Sequence, residues 1–125
     1  MAVKRYICDA DATITNAFRE DLAIRGTGSN MGASDILETF MIYAQATSTS
    51  HEASRILLKF PVTGANSILS NRTDGDIPAS GNVEFWLRLY NAEHGDSTPS
   101  DYKLRIEAAS SSWNEGFGLD MESYK

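Results

Sequence analysis

The sequence predicts an all-β fold, an antiparallel β-sandwich with at most one short helix near residues 17–24. Three observations predict it. Segments of strict apolar/polar alternation recur along the chain, which is the period of a half-buried strand. The intervals between them are rich in Gly, Ser, Thr, Asn, Asp and Pro, which supply turn geometry. No heptad or internal repeat competes with this pattern, and 125 residues suit one domain.

In chain order, "VKRYI" and "ATIT" read as short strands bridged by Asp9-Ala10-Asp11. "NAFREDLAIR" is the best helical candidate, since Asn16 can cap it, Phe18 and Leu22 share a face at i,i+4, and acids precede Arg25, but it is so short that a single turn or an irregular bridge is an equal alternative. "DILETFMIYAQ" is apolar at both parities, as expected of a strand buried on both faces, and its Thr, Phe, Ile and Tyr content favours strand over helix. "SRILLKFPV" places Ile56, Leu58, Phe60 and Val62 inward and Arg55 and Lys59 outward. Its Pro61 has no N–H to donate and belongs at a strand end or edge.

"NVEFWLRLYN" has the clearest alternation. Val83, Phe85, Leu87 and Leu89 should face the core, with Glu84, Trp86, Arg88 and Tyr90 opposite. "DYKLRIEAA" sets Tyr102, Leu104, Ile106 and Ala108 against Lys103, Arg105 and Glu107, as on a solvated sheet face. Asp74-Gly75-Asp76 reads as turn chemistry.

Apolar residues make up 42% and charged residues 22%, an ordinary globular balance. The net charge of −6, with scattered Lys and Arg, excludes a counterion-releasing nucleic-acid surface and disfavours anionic lipid. Tyr6-Ile7-Cys8 runs at once into Asp9 and Asp11, so no signal-peptide core follows Met1, and no stretch is long enough for a membrane helix. Synthesis in a cytoplasm is expected. Cys8 is the only cysteine, so an internal disulfide is impossible.

Catalytic signals are weak. His51 and His94 fall in predicted polar loops, with no nucleophile elbow, second His at i+4 or nearby Cys, and Cys8 has no visible activating partner. No catalytic residue and no cofactor are assigned. Asp9, Asp11 and Asp120 are the metal candidates, for a structural Ca²⁺ bridging β loops, although no EF-hand spacing is present. Trp86, Arg88, Tyr90, Trp113 and Phe117 form the candidate interaction surface. The aromatics suit either sugar stacking or subunit contact.

Several pieces occur in a telling order: Ala10-Asp11, Asn30-Met31-Gly32, Leu37, Ser54-Arg55-Ile56-Leu57-Leu58-Lys59-Phe60 and Trp113-Asn114-Glu115. This order resembles the DNRLRE family of jelly-roll-type β-sandwiches. The Glu115 to Glu122 ending, Glu-Gly-Phe-Gly-Leu-Asp-Met-Glu, resembles the variant in uncharacterised virion proteins of tailed phages. The likeness spans nearly the whole chain. It implies a single jelly-roll-like domain over residues 1–125 used for surface display or carbohydrate contact, without catalysis. It also implies that "SSWNEGFGLDMESYK" is a shaped loop held by Gly116 and Gly118, whose return strand is expected outside this chain or from a neighbour. The expected location is the virion. The expected partners are other virion proteins, copies of itself and a cell-surface glycan, with no nucleic acid and no membrane. The rival function is a carbohydrate-binding module of a surface or secreted protein.

Overall fold

The computed structural model of the chain describes residues 3–28, 30–78, 81–93, 95 and 100–120. His94 and the Met121-Glu122 end of the family-like motif lie outside the described residues.

Strand β1 (Ala10–Thr15), strand β2 (Met41–Tyr43), strand β3 (His51–Lys59) and helix α1 (Ile68–Thr73) follow in that order. β3 is the centre of a three-stranded antiparallel sheet ordered β1-β3-β2. Its "SRILLK" half pairs with β1 from Ala10↔Lys59 to Thr15↔Ser54, and its "HEA" start pairs with β2 from Met41↔Ala53 to Tyr43↔His51. Ile56 and Leu58 are half-buried while Arg55 and Lys59 point to solvent, as alternation predicts, but Leu57, on the side of Arg55 and Lys59, is half-buried too. Pro61 falls just past the strand end, where its missing N–H breaks no ladder, and its carbonyl accepts from Ile68 N at 3.0 Å. Val62 is 59% exposed, contrary to the inward position expected of it, because the strand has ended.

Among the described residues the buried apolar side chains are Ala12, Ala17, Met31 and Ile77, with no aromatic or leucine in the set. Thr13, Ser50, Glu52, Ser67 and Asn71 are buried with them, each in hydrogen bonds. Thr13 shows how a polar group is accommodated: its Oγ1 accepts from Glu38 N at 2.9 Å while its backbone bridges to Met31.

The expected helix near residues 17–24 does not form. Asn16 does not cap; its Oδ1 accepts from Ala53 N at 2.7 Å. Leu22 takes φ 55°, which no α-helix admits, and Phe18 bridges antiparallel to Arg25 across a tight turn. The Arg25 guanidinium sits 4.0 Å from the Phe18 ring centroid and closes the turn. The helix that does form, α1, starts from a reciprocal capping box in which Ser67 and Ser70 each accept the other's backbone N–H. Gly75 turns the chain after it with φ 80°, as the Asp74-Gly75-Asp76 reading expects.

Residues 3–7 join no strand ladder, and Val3 is 76% and Ile7 85% exposed. "DILETFMIYAQ" is not buried on both faces. Only Met41–Tyr43 pair, on the sheet's edge and exposed, and Ala44 at φ 59° then turns the chain away. Nor do the segments at 83–90 and 102–108 join a sheet: among the described residues they pair with nothing. On β1, Asp11 N donates to the Glu115 carboxylate and Thr13 bridges to Met31, and β2 is only three residues long. Over residues 55–59, β3 is paired on one flank only, so an edge is open there and neither segment occupies it. The described fold is therefore all-β, one small antiparallel sheet with one short helix, and no described helix is long and apolar enough to cross a membrane.

Candidate functional site

Two features dominate the surface, an uncovered ribbon and an interlocked loop. The ribbon is residues 83–90, and the segment 102–109 is uncovered in the same way. Among the described residues, neither 84–90 nor 102–109 makes a backbone–backbone hydrogen bond. Phe85 is 67% exposed, Leu104 52% and Trp86 85%, so the side chains expected in a core lie open to water. Only Val83 is half-buried.

The two faces of the ribbon nevertheless exist. Trp86 Nε1 donates to Glu84 Oε2 at 3.3 Å, and Arg88 lies 5.0 Å from the Tyr90 ring centroid. Arg105 pairs with Glu107 in the 102–109 segment at 2.5 Å. All three contacts join residues i and i+2, which share one side of an extended chain. The Glu84, Trp86, Arg88, Tyr90 row is thus laid out as the alternation predicts, with nothing against it.

The interlocked loop is the terminal segment. The Glu115 Oε1 atom accepts from Asp11 N at 2.9 Å. Asn30 Oδ1 accepts from Gly32 N at 3.1 Å and Gly118 N at 3.0 Å, and Ala33 N donates to Gly118 O at 3.0 Å. A Cβ at Gly32 would collide with the Glu115 carbonyl, and one at Gly116, whose φ is 80°, would collide with the Asn30 amide. Two loops pressed this closely need glycine on the facing backbone. Ala10-Asp11, Asn30-Met31-Gly32 and Trp113-Asn114-Glu115, separate in sequence, therefore meet in space around one clasp. Trp113 is half-buried beside it, whereas Phe117 is 94% exposed and Leu119 71%. No hydrogen bond or ring contact among the described residues joins 83–90 to 111–119.

The metal candidates do not converge. Asp9 and Asp11 lie at the start of β1, where Asp9 N donates to Lys59 O at 2.7 Å. Asp120 instead lines an open cleft of about 300 Å³ with Phe18, Glu38, Phe40, Ile42 and Glu52. Among the described residues no group of three His, Cys, Asp or Glu side chains is placed to hold a metal. Glu52, 1% exposed, accepts from Phe18 N at 2.8 Å, and the Gln45 amide, turned so that its nitrogen faces the carboxylate, donates at 2.7 Å. That carboxylate is structural: it fixes the 17–25 turn to the sheet. His51 is not in a loop but opens β3, and its carbonyl accepts from Arg25 Nη1 at 2.9 Å. Cys8 Sγ donates to the Ala10 and Lys59 carbonyls at 3.0 and 3.2 Å, tied to the strand pair.

Neither Glu52 nor the Asn30 clasp is evident from sequence as a buried polar partner. A lone Glu in a strand and an Asn in a Gly-rich loop carry no local signature of burial. No family model matches the chain, and no curated protein or solved structure matches it.

Proposed function

We propose that this chain is a non-enzymatic structural protein that works through assembly, as a capsid decoration, tail or fibre component of a tailed-phage particle. The observation that carries the reading is the uncovered ribbon. The whole chain exposes 10274 Å². A closed 13.7 kDa monomer is expected to expose roughly 6,600 Å². The surplus is roughly 3,700 Å² per chain, above the roughly 1,000–2,500 Å² that each partner contributes to an obligate interface. A chain with so small a core and so much open apolar surface is built to be completed by contact. The jelly-roll-type sandwich and the virion location follow from the family likeness and belong to this proposal.

Molar mass by light scattering across a wide concentration range tests it. Stable oligomers without ligand are expected, and electron microscopy of particles should place the chain on their surface. A monomer at every concentration would remove the reading. A second reading rests on the 85% exposure of the Trp86 indole next to Arg88 and Tyr90. A carbohydrate-binding module would stack a sugar there. It predicts saturable glycan binding, independent of oligomer state and lost in Trp86→Ala.

A further inference from the structure

We propose that residues 83–90 are the site of a two-fold contact between two copies of this chain, pairing antiparallel about Trp86. The inference rests on the assembly reading above and names its partner. Three observations carry it. The segment is extended, with its faces separated by i,i+2 contacts. Its backbone donors and acceptors at 84–90 are unused by any backbone partner among the described residues, which makes it a template for another strand. Its sequence is complementary to itself when reversed.

The third point sets the register. A two-fold axis at Trp86 places Glu84 opposite Arg88 of the second copy, and Arg88 opposite its Glu84. The two Trp86 rings meet on the same face. On the other face Val83 lies opposite Leu89, and Phe85 opposite Leu87. From Val83 to Leu89 every charge meets its opposite and every apolar residue meets an apolar one, the pairing that stabilises antiparallel strands, while Tyr90 lies opposite Asn82. A slide by two residues sets Trp86 against Arg88 and Glu84 against Tyr90, losing both ion pairs. A slide by one exchanges the faces. The contact is isologous, as a closed two-fold dimer requires. It covers Phe85, Trp86, Leu87, Leu89 and Tyr90, which now contribute to the surplus surface.

Charge reversal with mixing is the test, read as molar mass by light scattering and sedimentation on the full chain. Glu84→Arg alone sets Arg against Arg in both symmetric pairs, and Arg88→Glu alone sets Glu against Glu. Each should weaken the dimer by about tenfold or more. The double variant should recover it. A mixture of the two single variants should also recover it, as a heterodimer, because one copy then carries two acids and the other two arginines. Both variants change exposed side chains, and amide exchange on β3 confirms that the sheet persists. Failure of the mixture to associate overturns the two-fold register, including the case where 83–90 pairs with 102–109 of its own chain. Oligomers indifferent to both reversals overturn this contact but leave assembly standing. A wild-type chain that stays monomeric overturns both.

Discussion

β3 and the 83–90 ribbon carry the same kind of sequence and meet different fates. Both alternate apolar and charged residues, and both place successive side chains on opposite sides. β3 has β1 along residues 54–59 on one flank and β2 along 51–53 on the other, and its Ile56, Leu57 and Leu58 are half-buried. The ribbon has no backbone partner among the described residues, and its Phe85 and Trp86 stand in water. Alternation therefore defines faces in both, but burial came only where a flanking strand supplied a ladder. What separates them is the set of polar clasps around β3. Asn16 holds Ala53, Glu52 holds Phe18, Ser54 Oγ accepts from Phe40 N, and the terminal loop closes on β1. None of these devices reaches the ribbon.

The largest expected effect comes from opening the terminal clasp. Gly116→Ala forces a Cβ onto a left-handed backbone and into Asn30, and should cost about 3 kcal/mol. Urea unfolding, together with faster proteolysis after Trp113, would register it; an unchanged midpoint would mean that the loop does not lock the sheet. Next is Glu52→Ala, which leaves the Phe18 N–H without its partner in a buried site. It should cost about 2 kcal/mol, with amide exchange rising first in residues 17–25.

The comparison itself is sharpened by one pair of substitutions. Leu57→Ala, in β3, should lower stability by about 1–2 kcal/mol, less than a fully buried leucine would lose. Leu87→Ala, in the ribbon, should change the unfolding of the dilute chain by no more than about 0.5 kcal/mol and act on association instead. Equal losses in dilute chain from both would show that the ribbon is packed like β3.

The smallest effect concerns Lys4 and Asp76, 2.5 Å apart on the surface. The hydrogen bond from Lys4 to the Asp76 carboxylate, helped by its charge, holds the ammonium above its ordinary value of 10.5. The folded value exceeds the unfolded one, so any stabilisation is fully present below pH 10.5 and is lost as pH rises beyond it. Exposure and screening keep it slight. Lys4→Met should flatten that alkaline limb of the stability profile and leave the neutral midpoint nearly unmoved.

The all-β class, the middle of β3 and the turn at Asp74-Gly75-Asp76 were legible in the residue pattern alone. They rest on local physics: side-chain alternation, the missing N–H of Pro61 and positive φ at Gly75. The terminal loop's need for Gly116 comes instead from Asn30 pressed against it, a contact made only on folding, as were the remaining outcomes. Whether "NAFREDLAIR" became a helix depended on Ala53 and Glu52, more than twenty-five residues downstream, which take Asn16 and Phe18 N into the sheet's own bonding. Whether "NVEFWLRLYN" became a strand depended on meeting a partner, and the open flank of β3 at residues 55–59 did not take it. A strand is a relation between two segments, so a single segment's pattern can name its faces but not its partner.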